Sequence, residues 1–368
     1  MKRWRKAAQE IFATGNKNSI SKRRQRNRLI LIISAIVIVV AVSIFFIFRS
    51  NILASAPRQV TVTVAWNPGS ITDDMVRIMA VASDTQISLQ NITGANGAAG
   101  ANSVFQSERN GTALLSTSLS ALVTSEAMGF TENSHESWTA WLCVFSPTVV
   151  VVANDSPYHS MSDLITAIRQ NPGKLRCADS GFGTTSFIAA ELLSTRVVLE
   201  LDHISYSGSN QAIEALQSNE ENESDADFAV LLSIEIAEQL KAGQVRAIGA
   251  FTESDYTVQN GDKTITIPSI TGIDGRLDAV LPFGEYFGLF IPSDTPGSRL
   301  SGLDKLIKDI VDSEAFIEFS HRKMLVTILP DREKSTEIME HLSSTVCWTL
   351  YEVGYLPTNP ETLGIPRP

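Results

Sequence analysis

The chain has 368 residues, of which 43% are apolar and 19% charged, with a formal net charge of −10 at pH 7. This composition excludes an intrinsically disordered protein, and the length suffices for two domains with cores of their own. The charge is uneven, because residues 1–28 carry ten Lys or Arg against Glu10, whereas residues 29–368 carry 20 basic and 39 acidic residues.

The first predicted element is a membrane span. The run LILIISAIVIVVAVSIFFIF, residues 29–48, has no charged residue and would cross a hydrocarbon core of about 30 Å at about 1.5 Å per residue. The basic arm, residues 1–28, predicts a cytoplasmic N-terminus and an exported C-terminal body. Because the arm directly precedes the span, its charge favours membrane orientation over nucleic-acid binding.

A cleavable signal peptide is the alternative to a retained anchor. Signal peptides have apolar regions of about 7 to 15 residues, shorter than this run, and the small-residue pattern Ala54-Ser55-Ala56 is followed by Pro57. We therefore favour an uncleaved anchor over residues 29–48, followed by a linker over residues 49–58. No Cys directly follows the span, which argues against a lipid-anchored lipoprotein.

Strand and helix patterns alternate from residue 59 onward. Val60, Val62 and Val64 alternate with polar residues and predict a strand, whereas Met75 and Met79 recur at helical spacing. SNEENESDAD, residues 218–227, is expected to be a solvated loop. Repeated βα units predict a mostly parallel sheet with helices on both faces. Further strands are predicted in TALLSTS, WLCVFSPTVVVVAN, VRAIGAF and FGEYFGLFIP. A helix is predicted in SMSDLITAIRQNPGK, with Ser160 or Ser162 as its cap. The other predicted helices are QAIEALQS, SIEIAEQLKAGQ, SRLSGLDKLIKDIVDSEAFIEFSHRKM and STEIMEHLSSTVCWTLYEVG.

Three loops place small residues at the start of a predicted helix. They are NPGSITD (residues 67–73), NITGANGAAGAN (residues 91–102) and SGFGTTS (residues 180–186). The N-terminus of a helix holds backbone N–H groups without an intrahelical partner, which suit an anion. Thr72 or Asp73 is expected to cap the first of these helices. Taken alone, each loop is also compatible with an ordinary βα turn.

The sequence lacks the signatures of several enzyme classes and of metal sites. The loops do not match the Gly spacing of nucleotide sites, and the G-x-S-x-G motif of serine hydrolases is absent. The five His residues are scattered, so no catalytic residue, metal or cofactor is predicted. Cys143, Cys177 and Cys347 form no C-x-x-C pair and lie in apolar runs, which favours buried thiols over a disulfide.

Six motifs, in order from about residue 60 to the C-terminus, resemble those of tripartite tricarboxylate transporter substrate-binding proteins, the Bug or TctC-like family. NPGSITD is similar to P-G-G-x-T-D, and NITGANGAAGANSVFQSERNGTALL to N-R-x-G-A-G-G-x-x-G followed by D-G-Y-T-L. NPGKLRCADSGFGTTSFIAAELL is similar to P-G-K-L-x-Y-x-S-x-G-x-G-S-x-x-H-L-x-x-E-L-F. HISYSGSNQAIEAL resembles V-P-Y-K-G-x-x-P-A-L-x-D-L-L, LKAGQVRAIGAFT resembles I-K-A-G-K-L-R-A-L-A-V-T, and FGEYFGLFIPSDTP resembles W-x-G-L-F-A-P-x-G-T-P.

The resemblance implies an α/β, bilobal fold of the type II periplasmic-binding-protein class, placed after the N-terminal transmembrane helix. Lobe 1 is expected to comprise residues 59–153 and 284–368, and lobe 2 residues 154–283. The chain is expected to cross between the lobes near residues 152–156 and 281–287.

The resemblance also implies an extracytoplasmic solute receptor rather than an enzyme. Such a receptor closes on a small organic carboxylate and delivers it to integral-membrane permease subunits. The alternative is a membrane-anchored ectodomain that senses the solute and signals to a membrane partner. Carried over by position, the ligand-binding residues are Ser70, Ile71, Thr72, Asp73, Ser180, Gly183, Thr184, Thr185, Ser186, Tyr206 and Gly208.

Three positions depart from the family pattern. Ser70 replaces the second Gly of P-G-G, Phe187 stands where His is common, and Ser207 replaces the Lys of Y-K-G. The loss of two possible cations favours a ligand that is less anionic than a tricarboxylate or apolar at its far end. The alternative is that those side chains served only the surface.

Overall fold

The computed structural model describes residues 36–43, 57–217, 225–260 and 263–368. The chain divides into two units, Met1–Ser55 and Ala56–Pro368. In the first unit, residues 36–43 are helical and exposed. The basic arm, the rest of the predicted span and most of the linker lie outside the described residues. Within the described ranges, no helix combines the length and the apolarity that a membrane crossing requires.

The second unit is built on one large mixed sheet, which contains ten strands among the described residues. A separate antiparallel hairpin, β9 and β10, was not predicted from the sequence. The strands are β1 (Gln59–Val64), β2 (Gln86–Asn91), β3 (Ala113–Ser118), β4 (Trp138–Ala153), β5 (Arg176–Asp179), β6 (Asp202–Ser205), β7 (Phe228–Leu232), β8 (Val245–Ala250), β9 (Tyr256–Asn260), β10 (Lys263–Ile267), β11 (Gly284–Pro292) and β12 (Val326–Thr327).

Helices connect most of these strands and cover the sheet. Short 3-10 helices occur at Ala95–Gly97, His135–Ser137, Ser233–Ile236 and Pro360–Leu363. The α-helices of this unit are α1 (Ile71–Val81), α2 (Ala98–Phe105), α3 (Leu119–Thr124), α4 (Met161–Gln170), α5 (Thr185–Val197), α6 (Ser209–Leu216), α7 (Ala237–Lys241), α8 (Gly275–Asp278), α9 (Gly297–Val311), α10 (Glu314–Arg322) and α11 (Arg332–Glu352).

Strand β4 joins two halves of the large sheet. Its first part pairs with β11 as far as Pro147, and its second part pairs with β7 and β8 from Thr148 onward. Pro147 has no N–H group to donate, which fits a change of partner at the next residue. The first half has the order β2-β1-β3-β11-β4, and the second half has the order β8-β4-β7-β5-β6. The predicted lobe boundaries stay predictions.

The prediction of a mostly parallel sheet was wrong. Among the strands that the structure describes, β1 pairs in parallel with β2 and β3, and β5 pairs in parallel with β6 and β7. The central strands β4 and β11 are antiparallel to each other, and β4 is also antiparallel to β7, β8 and β12. Strand β4 runs through both halves, and β11 follows the segment that returns from the second half to the first, so neither strand belongs to a simple βα repeat.

Capping side chains explain several helix boundaries. Ser70, with extended backbone angles, caps α1 by accepting the Asp73 N–H at 3.3 Å, so the predicted caps Thr72 and Asp73 were wrong. Both lie inside the first turn of α1. Ser160 caps α4, as one of the two predicted alternatives. The long helical pattern over residues 298–324 is split into α9 and α10 because Ser313 caps a new helix.

Buried apolar side chains pack against the sheet as the patterns predict. Val60, Val62 and Val64 are each at most 1% exposed. The three cysteines are buried free thiols, which confirms that prediction. Of the predicted solvated loop, residues 225–227 are described. There Ala226 is buried and the Asp227 carboxylate accepts a backbone N–H at 2.7 Å, so these residues are partly packed rather than fully solvated.

Candidate functional site

A cavity of about 360 Å³ lies where α1 and α5 begin. Both halves of the sheet contribute to its wall, because α1 and α3 follow strands of the first half and α5 follows β5 of the second. The predicted site residues that line it are Ser70, Ile71, Thr72, Ser180, Gly183, Thr184, Thr185 and Ser186.

The first turn of α1 presents backbone donors at the cavity. The first bond of this helix runs from the Asp74 N–H to the Ser70 carbonyl at 2.9 Å, and Ser70 Oγ caps the Asp73 N–H. The N–H groups of Ile71 and Thr72 precede these bonds and therefore have no acceptor in the helix. Since both residues line the cavity, this end of α1 suits an anion.

The Asp73 side chain, in contrast, is not brought to the cavity wall. Its buried carboxylate accepts bonds from Arg77 Nε at 2.8 Å, the Gly69 N–H at 2.9 Å and Asn91 Nδ2 at 3.1 Å. Burial alone would raise the pKa of Asp73, but these bonds from Arg77, Gly69 and Asn91 hold it below its usual value. Asp73 thus fixes the shape of the loop before α1, and its predicted ligand contact stays a prediction.

The first turn of α5 repeats this arrangement. Thr184 Oγ1 accepts the Phe187 N–H at 3.2 Å, and the Thr184 carbonyl accepts the Ile188 N–H at 3.0 Å. The N–H groups of Thr185 and Ser186 precede these bonds and have no intrahelical acceptor. Two helix N-termini, one from each half of the sheet, therefore direct uncommitted donors at the same cavity.

Aromatic and aliphatic side chains form another part of the wall. Gly183 has φ +81°, and a Cβ atom there would lie 2.6 Å from Cζ of Tyr355, so glycine allows this ring to pack on the loop. Phe182 is 54% exposed and contacts Tyr355 edge-on, with ring centroids 5.1 Å apart. Trp66 and Phe287 also line the cavity. The site can therefore hold a ligand with an apolar portion.

Tyr206 and Gly208 lie elsewhere in the structure. The Tyr206 N–H donates to the Asp179 carbonyl at 3.2 Å, and its half-buried side chain packs against the core of the second half. Gly208 precedes α6 with φ +148°. Neither residue is part of the cavity wall. The resemblance alone supports a role for them in binding.

Two acidic residues in the wall were missed in the sequence. Glu285 of β11 is 5% exposed, and it accepts bonds from the Ser120 N–H at 3.0 Å, the Ser120 hydroxyl and the Thr185 hydroxyl at 2.6 Å. Burial raises the pKa of Glu285, although the bonds from Ser120, Thr185 and the Tyr286 N–H oppose that shift. Through these hydrogen bonds, the Glu285 carboxylate connects α3 and α5 to β11 in the cavity wall.

Glu235, in the 3-10 helix after β7, is the second acid. Its Oε2 accepts the Leu232 N–H at 2.8 Å and the Ser186 hydroxyl at 2.9 Å. Burial raises the pKa of Glu235, and bonds from Leu232, Ser186 and Ser180 oppose the shift. The sequence contains a signal for both acids. An acidic residue inside an apolar run must be paired with a polar or charged group, exposed to solvent or functional. FGEYFGLFIP and LLSIEIA are such runs.

A charged cluster supports the α5 loop from behind. His203 lies 2.7 Å from carboxylate oxygens of both Asp179 and Glu191, and its ring stacks on Phe187 with centroids 5.0 Å apart. Burial alone would lower the pKa of His203, but Asp179 and Glu191 raise it to about 9. Asp179 also accepts the Gly181 N–H at 2.6 Å, so the cluster holds the loop. Phe187 is buried here, whereas Ser207 is exposed, so these two departures from the family pattern lie in different surroundings.

Comparison with known proteins identifies the family. The profile of the tripartite tricarboxylate transporter family receptors (TctC) matches residues 74–344, more than half of the chain. The chain belongs to this family. The prediction of this family from the six motifs is confirmed, and the family is one of transporter receptors rather than enzymes.

Two UPF0065 proteins resemble the chain at low sequence identity. A UPF0065 protein encoded between tcbD and tcbE in Pseudomonas sp. strain P51 is 27% identical over 272 residues, which cover 71% of this receptor and 76% of the relative. A UPF0065 protein of Bordetella pertussis is 24% identical over 220 residues, which cover 58% of the receptor and 62% of the relative. The receptor thus spans less than two thirds of the Bordetella protein's length.

Solved structures show the same α/β periplasmic-binding-protein fold. A TctC solute-binding protein from Polaromonas has a TM-score of 0.68 and 20% identity, covering 80% of this receptor and 98% of that chain. MatC from Rhodopseudomonas palustris, solved with malate, has a TM-score of 0.57 and 20% identity over 79% and 98% of the two chains. Another R. palustris protein, solved with adipate, has a TM-score of 0.58 and 18% identity, covering 80% of this chain and 97% of that chain.

Proposed function

We propose that this receptor captures a small organic carboxylate outside the cytoplasm and delivers it to a tripartite tricarboxylate-type permease in the membrane. In this proposal the ligand lies between lobe 1 and lobe 2, and residues 29–48 anchor the protein. The observation that carries the proposal is the convergence of the α1 and α5 N-termini on one cavity. Malate and adipate in the two R. palustris proteins support a carboxylate as the ligand.

The ligand carboxylate would be held mainly by backbone donors. In the part of the chain that the structure describes, the cavity wall contains no Lys, Arg or His. The four N–H groups of Ile71, Thr72, Thr185 and Ser186 are the donors that the two helix ends leave uncommitted. Their partial positive charge, together with the two helix dipoles, would stabilise one carboxylate group.

Replacing Ile71 with proline tests this role without breaking the helix. Ile71 is the first residue of α1, where proline fits, and Ser70 already has the extended angles (φ −68°, ψ 162°) that a residue before proline adopts. Ile71→Pro removes one donor to a charged group, which is worth about 1.5–3 kcal/mol, or about 10- to 150-fold in affinity. The measurement is the dissociation constant of the full-length protein for a panel of small carboxylates, by calorimetry.

Ile71→Val is the matched control, because it trims the same side chain but keeps the N–H group. We expect wild-type affinity in this control and an unchanged melting temperature in both variants. Wild-type affinity in a folded Ile71→Pro protein would contradict carboxylate binding at α1. Failure of every carboxylate to bind or to stabilise the wild-type protein would contradict the proposed function as a whole.

Membrane anchoring makes a separate prediction. We expect the full-length protein to remain in the membrane fraction after an alkaline wash, with the second unit accessible from outside the cytoplasm, because residues 29–48 can span the bilayer. The readout is fractionation combined with sequencing of the mature N-terminus. A soluble exported protein that begins within residues 50–58 would show that the segment is a cleaved signal peptide.

A further inference from the structure

The charges of the cavity wall do not match a ligand that carries only carboxylates. Glu235 and Glu285 both line the cavity, and among the described lining residues there is no basic side chain to balance them. A dicarboxylate would therefore bring further negative charge next to two acids. A ligand with a positive group of its own would meet a complementary surface.

The two acids differ in how many of their carboxylate oxygens already accept hydrogen bonds from the protein. A carboxylate can accept about four hydrogen bonds. Both oxygens of Glu285 already accept bonds from the protein, because Oε1 accepts the Ser120 N–H and Oε2 accepts the hydroxyls of Ser120 and Thr185. Glu235 accepts the Leu232 N–H and the Ser186 hydroxyl, and both of these bonds go to its Oε2 atom. Glu235 therefore keeps the capacity to accept a further donor from the cavity.

The hydroxyl groups that donate to these acids also provide hydrogen-bond acceptors in the cavity wall. Ser120, Thr185 and Ser186 donate their hydroxyl hydrogens to Glu285 or Glu235, so their oxygens are left with lone pairs. The N–H groups of Thr185 and Ser186, in contrast, are donors without an acceptor in the helix. Acceptors and donors thus lie side by side on the first turn of α5, which matches a ligand whose cation is a few bonds from its carboxylate.

We propose that the ligand is an aminocarboxylate whose ammonium group is bound by Glu235 while its carboxylate is bound by the α1 and α5 N-termini. This inference rests on the proposed function, because it assigns the substrate class of the same cavity. The ammonium group donates to Glu235 and to the neighbouring hydroxyl oxygens. The remaining side chain of the ligand lies against the apolar wall that includes Trp66, Phe287 and Tyr355.

Matched ligand pairs test the proposal on the full-length protein in detergent. The pairs are aspartate with succinate, glutamate with glutarate, and 2-aminoadipate with adipate, each measured by titration calorimetry. We expect the amino member of at least one pair to bind at least about 30-fold more tightly than its partner, as for a desolvated charge pair. Glu235→Gln should reduce the affinity ratio of the two ligands in that pair to near one, because the amide keeps the contacts with Leu232 and Ser186 but loses the charge.

Glu238→Gln is the control, because Glu238 is exposed and lies three residues farther along the chain. It should keep the wild-type ratio, and all three proteins should melt at similar temperatures without ligand. If the dicarboxylates bind as tightly as their amino partners, or if Glu235→Gln leaves the ratio unchanged, the inference is overturned and the proposed function stands. If no member of any pair binds, both the inference and the proposed function fail.

Discussion

Replacing His203 with glutamine should lower the free energy of unfolding by about 3–5 kcal/mol near neutral pH. The imidazolium lies between Asp179, which is fully buried, and Glu191, at 2.7 Å from each carboxylate. Glutamine can donate a hydrogen bond to one of these acids, but it cannot neutralise either charge. The variant therefore leaves buried negative charge unpaired behind the α5 loop.

The loss should depend on pH in a defined direction. The folded-state pKa of His203 is raised to about 9 from an unfolded value of 6.5, so its contribution is fully present below pH 6.5 and is lost as the pH rises through 9. This shift corresponds to about 3 kcal/mol. Urea unfolding of both proteins from pH 6 to pH 10, followed by tryptophan fluorescence, measures the difference at each pH.

His159→Gln provides the control for the same chemical change at an exposed position. It should alter the free energy of unfolding by less than about 0.5 kcal/mol at every pH. A difference between wild type and His203→Gln that stays constant from pH 6 to pH 10 would show that the His203 charge does not stabilise the fold.

Gly284→Ala should be the most damaging glycine substitution at the junction of the two sheet halves. Gly284 opens β11 and pairs with Pro147 of β4, next to the point where β4 changes partners. A Cβ atom there would overlap the Ser146 carbonyl oxygen and lie 2.8 Å from the Pro147 Cα atom. Because both neighbours are backbone in a central strand, they cannot rotate away, and we expect a loss of about 3 kcal/mol.

Gly297→Ala is the matched control in the same region of sequence. Gly297 begins α9, and a Cβ atom there would meet nothing within 4 Å. We expect no loss, or a gain of up to about 1 kcal/mol from the reduced entropy of the unfolded chain. Melting temperatures of the two variants measure the contrast. Equal melting temperatures would mean that β11 and β4 can move apart at Gly284 without a loss of stability.

The sequence by itself determined the features that depend on local pattern and on motif order. The alternating valines of β1 and the buried thiols follow from residue type and spacing within a few positions, and the same local pattern limited the cap of α4 to Ser160 or Ser162. Six motifs in a fixed order identified the family before any contact was known. The same motifs selected the two loops, around Ile71 and Thr185, whose helix ends converge on the cavity.

The tertiary structure decided what depends on residues far apart in the chain. The partner change of β4 after Pro147 and the antiparallel course of β11 arise from strand pairing, which periodicity does not encode. The carboxylate of Asp73 is bound by Arg77 and Asn91, and Asp73 is not part of the cavity wall. Glu285 and Glu235 line the cavity because the fold brings β11 and the end of β7 close to the start of α5. There, each acid accepts a hydrogen bond from a hydroxyl group that is distant in sequence.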